Sequence, residues 1–265
     1  MTETVSVEFA DGIAHVRLNR PEKHNALNMA LFRDLEETLG ALAQQPGLRV
    51  VVLSGEGPSF CAGIDLHSLA AQPDQLQEMH RLLSDTDPHG SNIYQRVCIG
   101  WQRLPVPVIA AITGHCYGGG MQIALGCDVR IAAPEAKFSI MEIRWGIIPD
   151  MGATVTTRSL LRYDQLLDLT LSGRVVEAPE ALALGLITRT APDALSAARE
   201  MAGAIANKSP DAVRAAKSLY LSTRGLGEVE ALALEAKVQT GLIGQPNQME
   251  AVMAGMAKRE PRFTD

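Results

Sequence analysis

The stretch VPVIAAITGHCYGGGMQIALG, residues 106–126, places three consecutive glycines between two apolar segments. VPVIAAITG predicts a buried strand, and GGMQIALG predicts a short helix that begins directly after the glycine turn. A glycine turn that enters a helix leaves backbone N–H groups without intrahelical acceptors. The glycines therefore serve either close packing of the backbone or the placement of N–H donors against an oxyanion that develops during a reaction.

A second glycine-rich turn precedes this stretch. GEGPSFCAGIDL, residues 55–66, begins where a predicted strand ends, and Gly63 is followed by Ile64 and Asp65. Glycine permits backbone conformations that leave a further N–H group exposed at such a turn. Asp65 also suits the N-cap of a following helix, so this turn has both a structural and a functional interpretation.

Carboxyl groups follow in FSIMEIRWGIIPDMG, residues 138–152. Glu142 lies among apolar residues, where burial would raise the pKa of its carboxyl group and suit it to general acid/base catalysis. A salt bridge to Arg144 or Arg162 is the structural alternative for Glu142. Asp150 precedes a possible helix, so a helix cap and a catalytic role are both open for it.

Strand and helix patterns alternate up to about residue 190. Residues 5–21 predict a hairpin around an Asp-Gly turn, and residues 26–44 carry the apolar stripe of an amphipathic helix. Residues 67–92 are polar and predict an insertion with one or two short helices over a binding site. After about 190 the pattern predicts helices only, with Ser209 as an N-cap. We therefore expect an α/β protein with a core over residues 1–190 and a helical region over residues 191–265.

Composition excludes several classes of function. The chain has 265 residues, 46% of them hydrophobic, which is ample for a core. The net charge is −6, and neither sign forms a long block, so binding to nucleic acid or to an anionic membrane is not expected. The uncharged run Leu104–Gly126 is interrupted by prolines and glycines, which favours a buried core segment over a membrane span.

No cofactor or metal motif is present in the sequence. Walker A, G-x-G-x-x-G, H-E-x-x-H and G-x-S-x-G patterns are absent, and the four cysteines and six histidines lack metal-ligand spacing. We expect no metal site, and reduced, buried thiols. The N-terminal MTETVSVEFADG lacks the apolar core of a signal peptide, so we expect a cytoplasmic protein.

Five blocks, taken together and in this order, closely resemble the enoyl-CoA hydratase/isomerase (crotonase) superfamily. The resemblance covers nearly the whole chain and implies a spiral of ββα units, with a C-terminal helical region that packs against neighbouring subunits as a trimer or a hexamer. It also implies an acyl-CoA thioester as substrate, with coenzyme A bound as part of that substrate and no other cofactor. The blocks are VRLNRPEKHNAL (16–27), SGEGPSFCAGIDL (54–66), PVIAAITGHCYGGGMQIALGCDVRIAAPEAKF (107–138), LSGRVVEAPEALALGLI (171–187) and MEAVMAGMAKREPRF (249–263).

The same resemblance assigns roles to individual residues. The backbone N–H groups of Ile64 and Gly119 would form an oxyanion hole for the thioester carbonyl. Negative charge that develops on that oxygen would be stabilised by two fixed donors. The groove for coenzyme A would be lined, in addition to Ile64 and Gly119, by Lys23, Asn25, Ala26, Ala62, Asp65 and Leu66.

The chain departs from the family at one catalytic position. Hydratases of this family carry two glutamates that hold the attacking water; Glu142 matches the second, but Gln122 stands at the first. An amide cannot accept a proton at neutral pH, whereas isomerisation of a double bond needs only one base. We therefore expect an enoyl-CoA hydratase/isomerase with Glu142 as the main acid/base.

Three alternatives are open. The first is an enzyme that only isomerises 3-enoyl-CoA or, with Asp150, 3,5-dienoyl-CoA. The second is another reaction of this family, such as dehydration of a carnitinyl-type substrate or hydrolysis of the thioester. The third is a protein that binds CoA thioesters without catalysis; the presence of Glu142 argues against it.

Overall fold

The computed structural model describes residues 3–65 and 73–265, and the strands in these ranges form two sheets. The strands are β1 Val5–Ala10, β2 Ile13–Leu18, β3 Val50–Gly55, β4 Val108–Ile112, β5 His115–Tyr117, β6 Val129–Ala132, β7 Lys137–Ser139, β8 Val176–Glu177 and β9 Arg189–Thr190. The larger sheet has the spatial order β1-β2-β3-β4-β6-β9, in which β1 runs antiparallel to β2 and all other neighbours are parallel. The smaller sheet has the order β5-β7-β8.

Helices lie between the strands and after β9 in the described chain. Their bounds are α1 Met29–Ala43, α2 Pro73–Ser84, α3 Ile93–Arg103, α4 Gly119–Leu125, α5 Ala153–Thr156, α6 Tyr163–Ser172, α7 Ala178–Leu184, α8 Ala194–Ala206, α9 Pro210–Ser222, α10 Glu228–Leu242 and α11 Pro246–Met256. Short 3₁₀ turns lie at Pro21–Lys23, Glu142–Trp145 and Thr223–Gly225. The alternation of strands and helices confirms the α/β prediction, and in the described chain only helical elements follow β9.

The central strands of the larger sheet are buried on both faces. Successive residues of a strand point to opposite faces, so Val51 and Leu53 of β3 join one buried cluster, and Val50 and Val52 join another. The first cluster contains the apolar side of α1. The second contains an alanine stripe of α8 at positions 194, 198, 202 and 206. The first helix of the predicted C-terminal region therefore packs directly on the sheet.

A buried ion pair joins α9 to the core. Nζ of Lys217 lies 2.7 Å from a carboxylate oxygen of Asp128 and donates to the backbone oxygens of Trp101, at 3.0 Å, and Val106, at 2.8 Å. The Lys217 side chain is only 6% exposed. Since each donor of the ammonium group has an acceptor, the charge is compensated within the fold.

The uncharged run Leu104–Gly126 forms the predicted strand β4 and helix α4, and a further strand, β5, lies between them. Within the described residues, no helix is both long enough and apolar enough to cross a membrane. Strand β5 and helix α4 meet at the glycine turn, which places this turn at the edge of the smaller sheet.

Candidate active site

Glycine is required at the three positions of the turn for different structural reasons. Gly118 has φ 51° and ψ −122°, a conformation that favours glycine, and its N–H donates to Ser139 O at 2.9 Å. A Cβ on Gly119 would lie 2.7 Å from Leu27 Cδ1, and a Cβ on Gly120 would lie 2.6 Å from the backbone oxygen of Cys61. Close packing therefore explains two of the glycines. Gly119 is also the first residue of α4, so its N–H has no intrahelical acceptor.

The second glycine-rich turn lies beside the first. Tyr117 N donates to Cys61 O at 3.0 Å, and a Cβ on Gly63 would lie 2.9 Å from Tyr117 O. Leu27 bonds the residues on either side of Ile64: its N–H donates to Gly63 O at 2.7 Å, and its oxygen accepts from the N–H of residue 65 at 2.9 Å. In such a parallel pairing, the N–H of Ile64 points away from Leu27.

Both turns open into one cavity of about 580 Å³. Ile64 and Gly119 line this cavity together with the carboxyl-bearing residues Glu142 and Asp150. Most of the remaining wall is apolar, which lowers the polarity around these carboxyl groups. The other lining residues are Phe32, Ala62, Gly63, Met79, His80, Leu83, Tyr94, Gly118, Met141, Trp145, Gly146, Ile147, Ile148 and Met151.

Glu142 is held by Gln122. Nε2 of Gln122 donates to Oε1 of Glu142 at 2.6 Å, and Oε1 of Gln122 accepts from the N–H of Met151 at 2.9 Å. Since the Met151 N–H can only donate, the amide oxygen must face it, and the amide NH₂ must face Glu142. The salt bridge proposed for Glu142 is wrong, because its partner is this amide and the partner of Arg162 is Asp164.

The second carboxylate oxygen of Glu142 remains available. Glu142 is only 6% exposed, and its Oε2 accepts no hydrogen bond from any described residue. Burial raises the pKa of Glu142, hydrogen bonds such as that from Gln122 lower it, and the charge of Asp150 raises it, with a net upward shift. A buried carboxyl group with one committed and one open oxygen suits proton transfer.

Asp150 lies on the cavity wall but still reaches solvent. Burial against the apolar wall raises the pKa of its carboxyl group. The alternative role as a helix cap is wrong: α5 begins at Ala153, and its N-cap is Gly152, without a side-chain cap. Asp150 is therefore a second carboxyl group of the cavity.

The residues predicted to line a coenzyme A groove occupy different environments. Lys23 is exposed in a 3₁₀ turn, and Ala26 and Ala62 are partly buried. Asp65 forms an ion pair with Arg20 at 3.1 Å, and Leu66 lies outside the described residues. Of the six positions beyond the two turn amides, the cavity wall includes Ala62.

The side chain of Asn25 is used within the fold. It is fully buried, accepts from Arg20 N at 2.8 Å, and donates to the backbone oxygens of Glu56, at 3.0 Å, and Ser59, at 2.8 Å. These bonds hold the loop after β3 against the chain that follows β2. Asn25 therefore shapes this part of the surface through the backbone.

Part of the cavity wall has no signal in the sequence. Phe32 on α1 and Tyr94 on α3 line the cavity, but both resemble ordinary core positions of amphipathic helices. Helix α2, which lies within the predicted insertion 67–92, contributes Met79, His80 and Leu83 to the wall of the cavity. Across residues 3–65 and 73–265, no group of three or more His, Cys, Asp or Glu side chains is arranged to hold a metal ion.

The fold and this cavity define an α/β protein whose site combines two backbone amides with a buried carboxyl group. The family model described as enoyl-CoA hydratase/isomerase matches residues 8–265. The chain therefore belongs to the enoyl-CoA hydratase/isomerase family.

Individual relatives carry two kinds of name. A peroxisomal protein of Arabidopsis thaliana named Delta(3,5)-Delta(2,4)-dienoyl-CoA isomerase is 32% identical over 98% of this chain and 96% of its own. A protein of Mycobacterium tuberculosis named probable enoyl-CoA hydratase is 31% identical over 99% of this chain and 98% of its own. The crystal structure of an enoyl-CoA hydratase from Bacillus anthracis has 31% identity and a TM-score of 0.89, covering 98% of this chain and 99% of that chain. The predicted family and fold are thereby confirmed.

Proposed function

We propose that the protein is an enoyl-CoA hydratase/isomerase in which Glu142 is the main acid/base. The observation that carries this proposal is Oε2 of Glu142, which is buried, accepts no hydrogen bond from the described residues and belongs to a side chain of the cavity wall. A bound substrate carbon in the cavity would supply the proton that this oxygen takes. The relatives named hydratase and isomerase support the same reaction class.

The backbone amides of Ile64 and Gly119 complete the proposed site. Removal of a proton next to a thioester places negative charge on the carbonyl oxygen, and two fixed N–H donors would stabilise that charge without reorganisation. Loss of one such donor typically lowers the rate by about two to three orders of magnitude. Since both donors are backbone groups, side chains at these positions act only through their bulk.

Within this class, isomerisation is favoured by the position of the Gln122 amide. Its NH₂ group is committed to Glu142 and its oxygen to Met151, so Gln122 supplies no second base for hydration. A shift of a double bond requires removal and return of protons, which Glu142 can perform alone or together with Asp150. The relatives named dienoyl-CoA isomerase support a dienoyl-CoA substrate, for which we assign proton transfer to both carboxyl groups.

Turnover of three substrates tests this proposal. The purified protein is incubated with crotonyl-CoA, a 3-enoyl-CoA and a 3,5-dienoyl-CoA, and the chromophore conjugated to the thioester is followed. Glu142→Gln should abolish turnover, and Asp150→Asn should affect the dienoyl substrate most. Glu135→Gln, an exposed position, is the matched control. Absence of turnover with all three substrates contradicts the function, and activity that survives Glu142→Gln contradicts the choice of base.

We also propose that the chain assembles as a trimer or hexamer in the cytoplasm. Large apolar side chains are exposed on the last two helices, with Val229 at 81% and Met256 at 83%. Exposed apolar surface of this kind favours contacts between subunits. Coenzyme A would bind only as part of the substrate, near Lys23, Ala26 and Ala62.

A further inference from the structure

An exposed apolar segment borders the cavity shortly after Glu142 in the chain. Residues 145–148, which we call the rim segment, have the sequence WGII, and Trp145 is 58%, Ile147 52% and Ile148 69% exposed. All three residues line the cavity. Large apolar side chains are costly to expose to water, and exposed apolar surface beside a cavity is typical of a ligand-binding groove. The rim segment is therefore a candidate contact for an apolar ligand.

The rim segment is held in place at both of its ends. Gly146 has φ 71°, a conformation that favours glycine, and the N–H of Ile147 donates to Glu142 O at 3.4 Å. The Gln122 side chain bonds Glu142 before the segment and the N–H of Met151 after it. The exposed side chains therefore belong to a turn that the fold attaches beside the proposed base.

Helix α2 borders the same cavity with an apolar stripe. Met79 and Leu83 line the cavity, and Leu76, three residues before Met79, is 51% exposed. Residues at positions 76, 79 and 83 lie on one face of a helix. Two apolar elements, the rim segment and α2, thus border the cavity and continue from it to the surface. A hydrocarbon chain is the ligand chemistry that matches such a border.

The acyl group is the part of the proposed substrate that would lie beside the rim segment. The amides of Ile64 and Gly119 would hold the thioester carbonyl, and Glu142 would act on carbons of the acyl group. Ala62 joins the Ile64 side of the cavity to the loop proposed to contact coenzyme A, because its N–H donates to His24 O at 2.9 Å. The rim segment lies on the other side, next to the base, where an acyl chain would continue beyond its reacting carbons.

We propose that Trp145 and Ile148 are specificity-determining residues that bind the distal hydrocarbon of the acyl chain. The substrate class is thus a long-chain acyl-CoA thioester in preference to a short-chain one. This inference rests on the function proposed above, because it assumes that the acyl group of a CoA thioester occupies this cavity. Neither residue takes part in the proton transfers assigned to Glu142 and Asp150, so chain-length preference can be measured apart from catalysis.

Binding of saturated thioesters tests this inference without turnover. Dissociation constants of butyryl-CoA, octanoyl-CoA and dodecanoyl-CoA are measured by isothermal titration calorimetry, below the concentration at which the long thioester forms micelles. The wild type should bind dodecanoyl-CoA at least about tenfold more tightly than octanoyl-CoA, because each fully buried methylene group contributes about fourfold. In Trp145→Ser combined with Ile148→Ser, this preference should fall to about twofold or less, with the affinity for butyryl-CoA unchanged.

Two further variants support the measurement. Tyr163→Ser combined with Leu171→Ser, 79% and 65% exposed on α6, removes a similar amount of exposed apolar surface and should keep the wild-type preference. Ile148→Ser alone should lose part of the preference, and it provides the test if circular dichroism shows that the double variant at the rim segment is not folded.

The outcomes separate the two proposals. Equal binding of octanoyl-CoA and dodecanoyl-CoA by the wild type, or a preference that survives the substitutions at the rim segment, overturns the inference and leaves the function intact. A preference that the α6 variant also removes overturns it as well, because the effect is then not local to the rim segment. A lower molecular mass of the rim variant with an unchanged preference assigns the segment to a contact between copies and overturns the inference. Failure of the wild type to bind any of the three thioesters contradicts the proposed function itself.

Discussion

At the scale of the residue, the Gln122 amide determines which carboxylate oxygen of Glu142 is free to accept a proton. The amide is only 1% exposed and is oriented by the N–H of Met151, so it presents NH₂ to Glu142 without rotational freedom. One carboxylate oxygen thereby accepts from the amide at 2.6 Å, and the other accepts no hydrogen bond from a described residue. An amide in this position fixes the geometry of the proposed base but transfers no proton itself.

Replacing the amide by a carboxyl group should change the balance of reactions. In Gln122→Glu, two carboxyl groups at hydrogen-bond distance share one proton, which restores a second acid/base group. We expect the ratio of hydration of crotonyl-CoA to isomerisation of a 3-enoyl-CoA to rise by about tenfold or more. Steady-state kinetics on both substrates measure this ratio, with the exposed Gln45→Glu as control. A ratio unchanged from wild type contradicts the role assigned to Gln122.

The raised pKa of Glu142 should be visible in the pH dependence of catalysis. A base acts when deprotonated, so kcat/KM for isomerisation should rise with pH, with a midpoint above the usual glutamate value near 4.5. The hydrogen bond from Gln122 lowers the pKa of Glu142, so Gln122→Met should move the midpoint to higher pH. pH–rate profiles of wild type and variant decide this. A midpoint that moves downward, or stays fixed, shows that the titrating group is not Glu142.

At the scale of the element, the sequence predicts features that depend on a local pattern. It does not predict features that depend on contacts between residues far apart in the chain. β4 and α4 follow from β-branched residues and the glycine break, and the N-cap at Ser209 is confirmed by its bond to Ala212 N. The orientation of the Gln122 amide depends on Met151, which is 29 residues away in the chain. The helix cap that was one alternative for Asp150 lies at Gly152 instead, and no local pattern distinguishes the two positions. The fold is therefore far more predictable from sequence than the hydrogen bonds that give the site its chemistry.

Helix α8 is joined to the sheet by a histidine that must stay neutral. Nδ1 of His15 accepts from Arg17 at 3.0 Å and from Arg199 of α8 at 2.9 Å, so its Nε2–H donates to Ser54 Oγ at 2.8 Å. A proton on Nδ1 would remove this acceptor and add a third positive charge. Burial, followed by the two arginines, lowers the pKa of His15 from 6.5 to about 4.

This shift predicts a loss of stability in mild acid. Because the folded pKa of His15 lies below the unfolded value, its contribution is complete above the unfolded pKa of 6.5 and is lost as pH falls towards about 4. The loss amounts to about 3 kcal/mol. Urea unfolding at fixed protein concentration, at about pH 7 and about pH 4, measures it for wild type and His15→Gln. The free energy of unfolding should depend less on pH in the variant than in the wild type. An equal pH dependence in both rules out His15 as the cause. His89→Asn, at an exposed position, is the control and should behave like the wild type.

At the scale of the whole molecule, buried and exposed apolar surface are distributed unevenly along the chain. The central strands β3 and β4 bury their apolar residues completely, whereas α10 has no fully buried residue and exposes Val229 and Leu232. On α11, Met253 and Met256 are also more than half exposed. Such surface is costly in water and is stabilised when a second copy covers it. The residues that line the candidate cavity, in contrast, lie between Phe32 and Met151, outside these last helices.

Charged substitutions on these helices should therefore lower the oligomeric state without unfolding the protein. Val229→Asp combined with Met256→Asp places two carboxylates where a subunit contact would have to desolvate them, which costs several kcal/mol for each buried, unpaired charge. Light scattering coupled to size exclusion should show the wild type as a trimer or hexamer and the double variant as a smaller species, with its circular dichroism unchanged. Leu171→Asp, at a 65% exposed position of α6, should keep the wild-type mass. A monomeric wild type, or a double variant that assembles as before, shows that the exposed faces of α10 and α11 are not the subunit contact.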